Sequence, residues 1–151
     1  RGLGDVYKRQ GQAIDRTGVL LGIDFPCGPE LEKLSLGSNE NFKIKPTMIG
    51  MNCSLSGIEN KVKKMISDNC PPQDVAKFAI CSVCESLSSM AQAVTDKYGN
   101  MPLVFAGGVS GNKMIAQTLK NRFGAYFAEP QFSSDNAAGI AIYAYLKSVM
   151  Q

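Results

Sequence analysis

Apolar positions along the chain fall into two regimes. From Gln73 to Tyr98, Val75, Phe78, Ala79, Val83, Leu87, Met90 and Val94 recur at helical spacing, and Gly99-Asn100 ends the run, which predicts one long helix. Downstream, short apolar runs alternate with helical ones. The pattern predicts strands over Leu103–Ala106 and Ala125–Ala128 and helices over Asn112–Phe123 and Asp135–Val149. Upstream, Ile14, Thr17, Leu20 and Leu21 mark one side of a helix over Gly11–Leu21, closed by Gly22. A turn-rich loop, Asp24–Pro29, leads into a short helix over Glu30–Leu36, with Pro29 where a first helical turn tolerates it. Gly37–Glu40 reads as a polar loop, followed by a short strand at either Lys43–Lys45 or Met48–Met51. Asn52–Gly57 reads as a small-residue loop that opens a helix over Ile58–Asp68. The β-α-β-α order of the second half predicts a layered α/β domain, with the upstream helices packed against the sheet or capping it.

Composition narrows this picture only a little. A chain of 151 residues can bury one domain core. Its 44% hydrophobic and 19% charged content is ordinary for a globular protein, and no apolar run approaches the roughly 20 residues of a membrane span. The net charge of +3 is weak evidence for a nucleic-acid partner. Five scattered cysteines, an odd number with no secretory signal, read as reduced cytoplasmic thiols. Cys81 and Cys84 have CxxC spacing but share one face of the long helix and lack a second pair, so they read as two small buried thiols. The chain has no histidine, which removes His general acid–base catalysis and His–metal ligation from it.

Residues 1–10 stand apart. Gly4-Asp5-Val6-Tyr7-Lys8-Arg9-Gln10 resembles the translation of a transposase mosaic-end adaptor used in shotgun sequencing. The expectation is that the protein's own sequence starts in mid-gene at about Gly11, with residues 11–151 forming the domain.

The chemistry is concentrated in loops of small residues. Gly107-Gly108-Val109-Ser110-Gly111-Asn112 follows a predicted strand, and Ser110 or Asn112 can cap the next helix. A strand, a Gly-Gly turn and a helix N-terminus make a site for phosphate or ribose. Asp15 with Gly28, Ser54-Leu55-Ser56-Gly57, and Ser134-Asp135-Asn136 are the other three candidates. Taken singly, each has a plain structural reading: a tight turn, an N-cap, or a solvated charge at Asp15.

Order and spacing together are more specific. Gly11-Gln12-Ala13-Ile14-Asp15-Arg16 resembles the G-E-A-F-D-K segment of the tRNA threonylcarbamoyladenosine transferase family, earlier described as O-sialoglycoprotein endopeptidase or glycoprotease. Leu20–Pro29 resembles its L-L-G-L-x-[YF]-P-G-G-P loop, Cys53–Gly57 its F-S-F-S-G, Ala106–Asn112 its A-G-G-V-[SA]-A-N, and Ser134–Ala137 its T-D-N-[AG]. The resemblance covers about Gly11 to the end.

It implies an actin-like ATPase (ASKHA, ribonuclease-H-like) lobe, truncated at the N-terminus. It also implies transfer of a threonylcarbamoyl group from threonylcarbamoyl-adenylate to an adenosine of tRNA. Asp15, Gly28 and Asn112 would then hold the ribose, the adenine or the threonylcarbamoyl-adenylate, an adenylate or ATP-type nucleotide. Glu32 matches an acidic position that some members use on the nucleotide, and Gly107 and Gly108 would lie against it. Asp135 would ligate one divalent metal ion (iron, zinc or magnesium) that polarises the carbamoyl carbonyl or the phosphate. Implied partners are tRNA, proteins of the tRNA-modification complex, and a paralogue in a heterodimer.

Cys27 stands where the family has the first glycine of its pair, Gly111 replaces a common alanine, and Glu59 replaces a lysine expected near the cleft. The family's upstream motifs, including its histidine pair, lie before Gly11, so these residues alone are expected to be inactive. Two alternatives stay open: an inactive paralogue serving as a binding or scaffold subunit, which Glu59 favours, and another ASKHA enzyme such as a sugar or acyl kinase. The endopeptidase name implies proteolysis, for which the sequence offers no nucleophile–base pair. Lys61, Lys63, Lys64, Lys113, Lys120 and Arg122 are candidates for a tRNA-facing surface.

Overall fold

A computed structural model describes the backbone of residues 4–128, with side chains from Gln10 onward. The helix predicted over Asp135–Val149, and Asp135 itself, lie outside the described residues.

The elements in order are α1 (Gly4–Leu20), α2 (Gly28–Ser35), β1 (Thr47–Ile49), β2 (Asn52–Ser54), α3 (Ser56–Ser67), α4 (Pro72–Tyr98), β3 (Val104–Phe105), α5 (Lys113–Phe123) and β4 (Tyr126–Phe127). A single 3-10 turn, Gly108–Gly111, joins β3 to α5. Helix α1 starts upstream of the predicted Gly11, and Gln10, Ile14 and Thr17 form its buried stripe.

Helix α4 is the axis of the structure. It packs against α1, α2, α3 and α5, and its buried residues run from Val75 to Ala91. Small side chains, Ala76, Ala79, Ser82 and Ser86, let the neighbouring helices approach closely. Two of the buried hydroxyls are satisfied locally: Ser82 donates to the Phe78 carbonyl at 2.7 Å and Ser86 to the Ser82 carbonyl at 2.8 Å. Around this axis the core gathers Leu31 from α2, Val62 from α3, and Ile115 and Leu119 from α5, all fully buried.

The predicted β-α-β unit is present. Strands β3 and β4 pair in parallel, Val104 opposite Tyr126 and Phe105 opposite Phe127, with α5 as the crossover. The Phe105 and Phe127 rings stack at 5.3 Å on the inner side. Gly124, in the left-handed region at φ +61°, ends α5 and turns the chain into β4.

One segment differs from expectation. Asn52–Ser54 is not loop but the second strand of an antiparallel hairpin with Thr47–Ile49, turning at Gly50, and Lys43–Lys45 is not a strand. The structure is thus a mixed helix–strand one. Among the described residues, no helix is long and apolar enough to cross a membrane.

Candidate functional site

Three elements meet around a cavity of about 1280 Å³: the middle of α1, the start of α2 with the loop before it, and the start of α5 with the 3-10 turn before it. Asp15, Gly28, Glu32, Gly108 and Asn112 all line it. Residues far apart in sequence therefore converge on one concave surface. Gly107, also expected there, is not among the lining residues. It sits one step back at φ +108°, turning β3 into the 3-10 segment. The Ser54–Gly57 loop does not reach the cavity; Ser54 and Ser56 bond to each other at 2.9 Å.

Asp15 is half-buried rather than a freely solvated charge. Its Oδ1 accepts the Cys27 backbone N–H at 3.2 Å, which ties the loop to α1. Cys27 is fully buried, and its thiol donates to the Ile23 carbonyl at 3.5 Å. Burial pushes this thiol above its ordinary range, and the Asp15 charge adds to the effect. The thiol fills the space in front of Gly18, where an added Cβ would stand 2.2 Å from the Cys27 Cβ. The cysteine that replaces the family glycine is thus matched by a glycine on α1.

The N-terminus of α5 faces the cavity, but its amides are already occupied. Asn112 Oδ1 accepts the Ile115 N–H at 3.0 Å, the N-cap bond expected from sequence. Glu32 Oε1 accepts the Lys113 N–H at 2.8 Å and the Met114 N–H at 3.3 Å. The other capping candidate, Ser110, instead donates to the Gly107 carbonyl at 2.6 Å. A phosphate could not take these three first-turn amides without displacing Glu32 or Asn112. Two carboxylates, Asp15 and Glu32, offer acceptors for hydroxyls, with exposed Lys33 and Lys113 on the same wall.

Other expectations fall elsewhere. Glu59 does not line the cavity: it pairs with Arg16 at 2.8 Å and Lys63 at 2.7 Å on the surface. Hydrogen bonds from Lys63 and then Arg16 hold its carboxyl below the ordinary range. The charge change relative to the family is therefore absorbed in a clip between α1 and α3. The candidate basic residues divide between α3 and α5 and are partly engaged. Arg122 bonds Glu85 through both terminal nitrogens at 2.9 and 2.7 Å, and Lys120 lies 5.5 Å over the Phe127 ring. Cys84 is buried and Cys81 half-buried, and burial raises both thiols. Among the described residues, no three His, Cys, Asp or Glu side chains are grouped to hold a metal ion.

Sequence reading missed Phe25 and Leu36, two apolar side chains on the wall of the cavity. A hint was available in Phe25, an aromatic residue placed in a turn-rich loop before a proline.

Residues 3–142 match the family model of tRNA N6-adenosine threonylcarbamoyltransferase (TsaD), and the chain belongs to that family. At that level it is associated with tRNA processing by a transferase acting on tRNA adenosine.

Proposed function

We propose that the cavity between α1, α2 and α5 holds the nucleoside end of threonylcarbamoyl-adenylate for transfer of the threonylcarbamoyl group to tRNA. The observation that carries this reading is the convergence of Asp15, Gly28, Glu32 and Asn112 on a single cavity large enough for a nucleotide. Asp15 and Glu32 accept from the ribose hydroxyls. Gly28 and Gly108 present backbone without a side chain, so a flat ligand can lie close to the chain. In the transfer, the exocyclic amine of the tRNA adenosine attacks the carbamoyl carbon. A C–N bond forms, the bond from that carbon to the phosphate oxygen breaks, AMP leaves, and the amine's proton passes to solvent. This chain's described groups bind and orient the nucleotide.

The parallel β3–α5–β4 unit supports an α/β lobe of the actin-like ATPase type. The proposal also includes, on family resemblance, one divalent metal ion reached through Asp135. The described residues do not themselves fit a metal site: they contain no group of three ligating side chains, and the chain has no histidine. Glu59, the residue that tilts the sequence toward an inactive paralogue, lies outside the cavity.

Equilibrium dialysis of AMP against the full chain tests the proposal. Saturable binding that weakens in Asp15→Ala and Glu32→Gln is expected. Equal retention by all three chains overturns it.

A further inference from the structure

Phe25 is 75% exposed, as is Leu36, and both line the same cavity. Neither belongs to the hydrophobic core or to the side chains packed against it, and Phe25 makes no ring–ring contact among the described residues. A phenyl ring left this open forgoes much of the stabilisation that burial would give it. The loop that carries it is tied down nearby: Phe25 stands two residues before Cys27, whose backbone N–H is held by Asp15 and whose side chain is fully buried. A loop held in place before binding loses little backbone freedom when a ligand arrives.

One cavity therefore presents carboxylates at Asp15 and Glu32 and unpaired apolar surface at Phe25 and Leu36. A ligand that joins hydroxyls to a flat, weakly polar ring system satisfies both. We propose that Phe25 is the stacking platform for the base of the bound nucleotide, with Leu36 as a second apolar wall. This rests on the nucleotide reading of the cavity and adds to it the residue that distinguishes a nucleoside from a bare sugar phosphate. Stacking tolerates any base, so Phe25 sets whether a base is required rather than which base is chosen.

The chain contains no tryptophan, so F25W places a single indole reporter at the position in question. Adenosine titrated into the full-length F25W chain is expected to quench its fluorescence saturably, while ribose 5-phosphate leaves the signal unchanged. In calorimetry, F25L is expected to lose roughly tenfold in adenosine affinity relative to the unsubstituted chain. If the unsubstituted chain binds adenosine but F25W gives no fluorescence change and F25L keeps full affinity, Phe25 is not the platform and the nucleotide reading survives. If F25L instead turns a dimer into a monomer at unchanged adenosine affinity, the exposed ring serves a protein contact and the proposal is overturned. Absence of any calorimetric adenosine binding removes the nucleotide reading, and this proposal with it.

Discussion

Glu32 and Lys113, 81 positions apart, are joined by one hydrogen bond: the Glu32 carboxylate accepts the Lys113 backbone N–H at 2.8 Å. The same oxygen accepts the Met114 N–H at 3.3 Å, so one side chain on α2 caps the start of α5. A negative group there is favoured by the helix dipole as well as by the bonds themselves. Glu32→Ala leaves two amides without their acceptor and is expected to lower unfolding stability by about 1–2 kcal/mol. Glu32→Gln keeps an oxygen in place and loses less. Urea denaturation of the three chains measures both; equal midpoints would show that the contact contributes nothing.

Gly18 and Cys27 form a steric pair. Gly18→Ala drives its new Cβ to within 2.2 Å of the Cys27 Cβ and 2.6 Å of its sulfur. Overpacking of this kind is expected to destabilise by about 1–3 kcal/mol. Cys27→Gly removes both obstructing atoms. The double variant Gly18→Ala/Cys27→Gly should then be more stable than the sum of the single effects predicts, by about 1 kcal/mol or more. Thermal unfolding of the four chains closes the cycle, and strict additivity would refute the pairing.

The thiols give a pH dependence of definite sign. Burial raises Cys27, Cys53, Cys81 and Cys84 above the ordinary thiol range. Above about pH 8.5 the unfolded chain ionises these groups first, so stability falls as pH rises through the folded values. Alkylation of the native chain, followed by peptide mass spectrometry, should modify fully buried Cys27 more slowly than half-buried Cys53 or Cys81. Preferential labelling of Cys27 would contradict the packing described.

Arg122 and Glu85 join α5 to α4 through a two-pronged contact, with both side chains partly exposed. Arg122→Ala is expected to cost about 0.5–1 kcal/mol, and less at high salt. Arg122→Lys keeps the charge but not the fork, and should recover only part of the loss. Denaturation at two ionic strengths separates these outcomes.

The sequence announced its helices because their burial is periodic. Ile14 and Thr17 on α1, or Ile58, Val62 and Met65 on α3, repeat at the helical period whatever the tertiary context, although Leu20, expected on the same side of α1, is exposed. The β1–β2 hairpin was hidden because its strands are three residues long, and Asn52, Cys53 and Ser54 carry loop-like chemistry. Asp15, Gly28, Glu32 and Asn112 were legible as candidates through the order and type of their motifs, and all four line one cavity. What they do locally was not. That Glu32 occupies the α5 amides, or that Glu59 turns to Arg16 and Lys63, depends on how helices distant in sequence pack. Phe25 escaped notice for a related reason, since sequence alone does not say which aromatic side chains the core takes in and which it leaves out.

A nucleotide held as proposed in the cavity bounded by α1, α2 and α5 would perturb the backbone amides around that cavity. The most direct measurement is an AMP titration of the 15N-labelled chain, followed through its backbone amide resonances. Saturable shifts are expected at Gly28, Gly108, Gly111 and Lys113, with the amides of α3 unmoved. Saturable shifts confined to α3 or to the β1–β2 hairpin, or no shifts at any AMP concentration, would contradict that placement.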